Sequence, residues 1–226
     1  MGNVSYDNAA PGHDYFLWPA EGVNYASTLF KGETPDPLVD IKESISGNPI
    51  SVMFNTFEVD CSSIDMTSFS LIASSTGSTE PVLKTMTALT DPNDKFNACE
   101  FALFPRNILL PGEAYNARFE YTENGNAKTI SWVFSTKDLP VDLEALYYPV
   151  GDASFTVERG VKYILFPASR DASKLFTLFS ENYGPNGPVS TITYLEGYPI
   201  IEFSGDTGTM NIVQDDSGDT ITFTVN

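Results

Sequence analysis

The side chains able to do acid–base or metal chemistry are unevenly stocked in this chain: one histidine, two cysteines and 30 carboxylates. A serine, cysteine or zinc hydrolase ordinarily draws its base or a ligand from histidine. The single candidate, His13, lies between Gly12 and Asp14 in an irregular stretch with no second histidine or nearby cysteine, and reads as a solvent-exposed bystander. The Gly-x-Ser-x-Gly turn that marks an activated serine is absent. Glycoside hydrolysis needs another set, a proton donor and a second carboxylate on opposite sides of the scissile bond. Thirty acids make such pairs abundant but unspecific, because most fall on turns or on wet strand faces.

Two acidic turns have the oxygen chemistry that calcium prefers, Asp91-Pro92-Asn93-Asp94 and Asp215-Asp216-Ser217-Gly218-Asp219. Neither follows the EF-hand spacing, and Asp, Asn, Ser and Gly are also the ordinary material of tight turns. Calcium and plain turn stand as alternatives at both places. Stacking on sugar rings would need exposed aromatic faces. Tyr147, Tyr148, Tyr183, Tyr194 and Tyr198 are the candidate platforms, with core or junction packing as the alternative. Trp18 and Trp132 read first as core anchors. No phosphate-cradling glycine loop is present. The expectation is therefore a chain with no catalytic, cofactor-binding or metal-ligating residues, in which calcium is the one cofactor worth weighing.

Cys61 and Cys99 are 38 residues apart, far from any metal-ligand spacing. The preferred reading is a disulfide in an oxidising compartment, and the alternative is two buried thiols. Net charge is −18, with 18 acidic and 8 basic residues up to Asp138 and 12 and 4 beyond it, so both halves are acidic. A field of that sign repels phosphate backbones and anionic membrane surfaces, which argues against nucleic-acid partners. No apolar run approaches the length needed to span a bilayer. Met1-Gly2-Asn3 opens straight into polar sequence without a leader pattern, so the expected native context is a longer chain that continues upstream.

The elements that position these residues are strands. Tyr115, Ala117, Phe119 and Tyr121 alternate with Asn116, Arg118 and Glu120, turn at Asn124-Gly125, and resume with Ile130, Trp132 and Phe134. That is a hairpin with one buried face. Pro49–Asn55, Ser68–Ala73, Val82–Leu89 and Ala98–Phe104 precede it as further strands, separated by turn signals. Short strands so spaced predict an antiparallel Ig-like β-sandwich over residues 49–139. Leu110-Pro111-Gly112 ahead of Tyr115 predicts a tyrosine corner, in which the phenol folds back onto the turn backbone.

Residues 1–48 are irregular and proline-punctuated. They carry Tyr15, Phe16, Leu17, Trp18, Tyr25, Leu29 and Phe30, too apolar for a solvated tail, and are expected to pack over the sandwich with an edge strand. Lys137-Asp138-Leu139-Pro140 reads as a junction. Residues 140–226 are expected to form a small β-rich domain. In it, Ala153–Val157 and Val161–Phe166 make a hairpin across Glu158-Arg159-Gly160. One short helix is expected over Asp171–Tyr183, where Ala172, Leu175, Phe176, Phe179 and Tyr183 recur at three- and four-residue steps. Four strands follow at Thr191–Leu195, Pro199–Phe203, Thr209–Gln214 and Thr220–Val225, with hairpin turns at Gly205-Asp206 and Ser217-Gly218-Asp219.

Two stretches resemble known proteins. The first runs from Trp18-Pro19-Ala20-Glu21-Gly22 through Phe30-Lys31-Gly32-Glu33-Thr34-Pro35-Asp36-Pro37-Leu38 to Gly47-Asn48-Pro49-Ile50-Ser51-Val52. It is similar to the segment that follows the CAP domain in certain secreted bacterial proteins of the cysteine-rich secretory and pathogenesis-related superfamily. The second, Leu110-Pro111-Gly112 with Tyr115 and Trp132-Val133-Phe134-Ser135-Thr136, resembles bacterial Ig-like (fibronectin-III-like) domains. The CAP cleft's histidine and acidic residues have no counterparts here, so no functional residue carries over. The resemblance implies the accessory C-terminal part of an exported protein, with a CAP domain upstream as a possible native neighbour.

Together these readings favour a non-catalytic extracellular or periplasmic module that acts as a spacer or as a recognition or adhesion surface for a protein or glycan. A carbohydrate-binding module is the first alternative and a hydrolase with paired acids the second.

Overall fold

The computed structural model describes residues 14–41, 44–175, 179–182, 187–214 and 218–226, which fall into two units dividing after Asp138. The chain is mainly β. In the first unit one sheet has the order β1-β4-β7-β6: β1 Tyr15–Trp18, β4 Ile50–Phe54, β7 Glu100–Pro105 and β6 Val82–Met86. The facing sheet has the order β5-β8-β9: β5 Ile64–Ala73, β8 Ala114–Glu123 and β9 Asn126–Ser135. All pairings in both sheets are antiparallel. These are the A-B-E-D and C-F-G positions of the seven-stranded immunoglobulin sandwich.

The reason is the two-residue period. In β8, Tyr115, Ala117, Phe119 and Tyr121 point inward, and in β9 Ile130, Trp132 and Phe134 do, so the hairpin buries a single face. Ile50, Val52 and Phe54 of β4 and Phe101 and Leu103 of β7 meet them from the other sheet. Each large side chain so buried contributes about 1.5–3 kcal/mol. Asn124 (φ 51°) and Gly125 (φ 76°) adopt the left-handed backbone that a tight two-residue hairpin turn requires. At the start of β8 the Tyr115 hydroxyl accepts a 2.8 Å hydrogen bond from the Leu110 amide, forming the tyrosine corner.

Residues before β4 cover two parts of this sandwich. Residues 22–26 run parallel along the free edge of β9. The amides of Gly22 and Ala26 donate to the carbonyls of Val133 and Ser135, and those of Ser135 and Lys137 donate to Val23 and Ala26. The indole of Trp132, 1% exposed, donates to the Pro19 carbonyl at 2.9 Å. Further on, β2 (Leu29–Lys31) pairs with β3 (Ile45–Gly47), and Phe30 and Leu38 pack on Met86, Ala102 and Phe104. Those three belong to the outward side of β6 and β7, which explains why β7 is buried along nearly its whole length.

The second unit is a second two-layer sandwich. One sheet has the order β10-β12-β15-β14: β10 Leu143–Tyr148, β12 Lys162–Pro167, β15 Tyr198–Gly205 and β14 Pro188–Leu195. The other has the order β11-β17-β16-β13: β11 Ala153–Val157, β17 Thr220–Val225, β16 Gly208–Gln214 and β13 Phe179–Asn182. The strands β12-β15-β14 and β17-β16-β13 repeat the B-E-D and G-F-C order of the first unit. The two remaining strands, β10 and β11, join one to each sheet and in parallel, β10 to β12 and β11 to β17. Tyr163, Leu165, Ile201 and Phe203 meet Met210, Ile212, Ile221, Phe223 and Val225 across the core. Tyr163 repeats the local device of Tyr115, accepting from the amide five residues upstream, Glu158, at 2.9 Å.

Three local expectations are corrected here. Ala153–Val157 and Lys162–Pro167 do not pair with each other, because Glu158-Arg159-Gly160 carries the chain from one sheet to the other. Gly205 and Asp206 likewise connect β15 to β16 across the sandwich rather than closing a hairpin. The helical period in Asp171–Tyr183 yields one 3-10 turn, Ala172–Lys174, capped by the Asp171 carboxylate on the Ser173 amide. Phe179–Asn182 is instead a strand paired with β16, so ladder hydrogen bonds override the weak local preference. Phe176 and Tyr183 lie outside the described residues.

If the two phenols act alike, Tyr115→Phe and Tyr163→Phe should each cost about 1–2 kcal/mol, since each leaves an amide without its acceptor. Urea denaturation of the two variants checks this, and a change below 0.3 kcal/mol (roughly, the level of a neutral surface substitution) would remove the corner from the account.

Candidate functional site

A groove of about 310 Å³ lies on the outward face of β10-β12-β15-β14. It arises from the same alternation that builds the core. Leu146, Tyr163, Leu165, Ile201, Phe203 and Ile192 turn inward, so their neighbours turn out. Register then sets the outward residues in rows. Leu143, Lys162, Glu202 and Thr191 lie side by side across the four strands, and Ile164, Ile200 and Thr193 form the next row. Pro140, Asp142 and Leu195 complete the rim.

Charge in the groove is mixed. The Lys162 ammonium lies 3.2 Å from an Asp142 carboxylate oxygen, and Glu202 is the register partner of Lys162 on the neighbouring strand. Both members of the ion pair are well exposed, so it contributes no more than about 1 kcal/mol. Threonine hydroxyls line one side and Leu143 and Ile200 give an apolar floor. The lining contains no histidine, cysteine or serine. It can therefore offer hydrogen bonds, an apolar rest and a carboxylate-rich rim, but no paired nucleophile and imidazole base.

This grouping was not visible in the sequence. Asp142, Lys162 and Glu202 are far apart in the chain and come together because β10 pairs in parallel with β12 and β12 pairs antiparallel with β15. The nearest signal was Lys162 at the head of an apolar run.

The residues singled out from sequence are dispersed. Cys61 and Cys99 are disulfide-bonded, with Cα atoms 5.0 Å apart. They join the 3-10 turn Cys61–Ser63 ahead of β5 to the loop entering β7, and so tie the two sheets of the first unit. Closing a loop of that length stabilises by about 4 kcal/mol on the chain-entropy account. Of the tyrosines, Tyr148 (4% exposed) and Tyr198 (3%) are buried, whereas Tyr147 (47%) and Tyr194 (52%) are half-exposed. Tyr147 stacks on Phe166, which packs on Tyr198. None of them lines the groove. His13, Tyr183 and Asp215–Ser217 lie outside the described residues.

Asp91 heads the other acidic turn, and its carboxylate is used internally. One oxygen accepts from the Asn93 amide, the other from the Lys95 and Phe96 amides. Asn93 in turn donates to the Asp36 carbonyl, fastening this turn to the covering segment. Burial alone would raise the Asp91 pKa, but the three amide donors outweigh it and hold the carboxyl below the usual range. Among the described residues no cluster of three or more His, Cys, Asp or Glu side chains is placed to hold a metal ion. No described helix is long and apolar enough to cross a membrane.

No family model matches the chain, and no curated protein matches it. Several solved structures align weakly. The titin fragment A168169 aligns at 11% identity over 91% of this chain and 94% of its own, with a TM-score of 0.23. The N-terminal four Ig domains of Dscam1 isoform 6.44 align at 10% identity over 94% and 50%, with a TM-score of 0.25. The endo-fucoidan hydrolase MfFcnA4 of glycoside hydrolase family 107 aligns at 13% identity over 72% of this chain, with a TM-score of 0.25. This chain spans about a quarter of that enzyme's length, 23%. Scores this low carry no argument. The strand order and the core define the class of protein: an all-β chain built of Ig-like sandwiches.

The Asp91 geometry predicts a pH signature. Its folded pKa is depressed, so its contribution is complete above the unfolded carboxyl value of about 3.9 and disappears as pH falls through the lower folded value. Asp91→Asn should therefore cost about 2 kcal/mol at neutral pH and progressively less in acid. Urea titrations at pH 7 and pH 3 would show it, and an equal loss at both would refute it.

Proposed function

We propose that this chain is a non-catalytic recognition module of an exported protein, contacting its partner through the outward face of β10-β12-β15-β14. The observation that carries this reading is the chemistry of the groove. General acid catalysis on a glycoside needs a carboxyl kept protonated by an apolar setting. Here Asp142 lies 3.2 Å from the Lys162 ammonium and Glu202 stands opposite Lys162 in the ladder, so both acids sit beside a charged neighbour rather than in an apolar setting. Hydroxyls and aliphatic side chains make up the rest, which suits holding a polar chain better than cleaving one.

Export is supported by the disulfide, since such bonds persist in oxidising compartments, and by the acidity of both halves. On the resemblance of residues 18–52, the module would accompany a CAP domain lying upstream in the native protein. A sugar-binding role is less well supported, because two of the four described candidate tyrosines are core residues and the half-exposed pair lies outside the groove.

Incubation of the purified chain with glycan, ester and peptide substrates should give no turnover above a buffer blank. Turnover that disappears in Glu202→Gln or Asp142→Asn would overturn the reading. Alkylation of protein recovered from its native host, without prior reductant, should leave both cysteines unlabelled. Labelling of Cys61 and Cys99 would place the chain in a reducing compartment.

A further inference from the structure

We propose that the groove on the outward face of β10-β12-β15-β14 seats the side chain of a lysine presented by a partner polypeptide, with the Glu202 carboxylate receiving its ammonium. This rests on the non-catalytic reading above and names the chemistry of the partner. Glu202 is half-buried in the middle of the sheet face, between its register partners Lys162 on β12 and Thr191 on β14. Among the described residues its carboxylate takes part in no hydrogen bond or ion pair. Lys162, the one cation of the lining, holds its ammonium 3.2 Å from Asp142, which lies on the other side of β12, next to β10. A neutralised pair therefore stands to one side of β12 and an unneutralised acid to the other. A carboxylate partly withdrawn from water, with its acceptor positions unused, gains from a cation brought to it.

The rest of the lining selects among cations. Ile200 lies two residues back along β15 and faces the same side, about 7 Å from Glu202 at ~3.3 Å per residue, with Thr193 as its register partner. An aliphatic stem can rest on Ile200 while its charged head meets Glu202. The acceptors on offer are one carboxylate and the hydroxyls of Thr191 and Thr193, both exposed. Acceptors spread over two rows and two strands suit the three rotatable donors of an ammonium better than the rigid planar fork of a guanidinium.

Size and charge choose the occupant. Ligand sites span about 300–1,000 Å³, so a groove of about 310 Å³ has room for one side chain and the backbone that carries it. A second copy of this chain brings another −18 and is repelled. A neutral or anionic sugar chain leaves Glu202 without a counter-charge. A lysine-bearing polypeptide complements both Glu202 and the field of the whole chain.

The test titrates the full chain with an acetylated and amidated glycine-lysine-glycine peptide at an ionic strength of about 0.15 M, followed by methyl NMR. Saturable shifts should centre on Thr191, Thr193 and Ile200. The same peptide with ε-acetyl-lysine or norleucine in place of lysine should bind about tenfold more weakly or worse, and n-butylamine, which lacks the backbone, about threefold more weakly. Glu202→Gln should weaken binding about tenfold, and Lys162→Gln should strengthen it about threefold by removing a like charge. Glu144→Gln deletes the same charge from an exposed β10 position of opposite facing and should leave the affinity unchanged. Neither Glu202→Gln nor Glu144→Gln should move the melting curve. Shifts centred elsewhere, a failure to saturate, equal binding of the norleucine peptide, or equal weakening by Glu144→Gln would each overturn the proposal. Equal binding of n-butylamine would overturn the polypeptide as occupant, and tighter binding of the arginine peptide would overturn lysine. Absence of peptide binding together with absence of turnover would remove the lysine site and leave the non-catalytic reading standing. Turnover would remove that reading whatever the peptide does.

Discussion

A β-strand presents successive side chains to opposite faces, and a sheet that is apolar on one face must bury that face against another layer. Everything else in this molecule follows from meeting that constraint twice. In the first unit Phe119 touches Phe54, Phe69, Phe101 and Tyr121, so one ring links four strands drawn from both sheets. In the second, Phe223 contacts Phe155 and Phe203, again from both layers. With the cores filled by rings and branched chains, polar chemistry is confined to outward faces, turns and strand edges.

Sequence reading was strongest where the constraint is local. The alternation of Tyr115 to Tyr121 and Ile130 to Phe134 reports burial directly, and Leu110-Pro111-Gly112 with Tyr115 specifies a turn and a hydroxyl acceptor within five residues. The Ig-like class follows from such segments. The disulfide partners needed no geometry, because only two cysteines exist. Reading failed where pairing is remote. Nothing within Leu143–Tyr148 says that it lies parallel to Lys162–Pro167, and without that pairing Asp142 has no relation to Lys162 and Glu202. The 3-10 turn at Ala172–Lys174 shows a different failure. Ala172 and Leu175 are both buried, as a helix stripe would be, yet spacing alone cannot tell one turn from several.

The acidic character of the chain takes on a more specific sense once the carboxylates are placed. Asp91 is spent on three backbone amides, Asp60 on the Ser62 amide, and Asp171 on the Ser173 amide. These acids are turn-makers. Asp142 and Glu202 differ because both line the groove, in which Lys162 is the one lining cation. Placement, rather than abundance, separates structural carboxylates from those available to a partner.

The parallel strip in which residues 22–26 lie against 133–137 also has a mechanical meaning. It joins a stretch just after β1 to the stretch by which the chain leaves the first unit. A pull applied between these two stretches along their common direction would load the four hydrogen bonds together in shear instead of opening them one at a time. The second unit repeats the geometry with β11 parallel to β17.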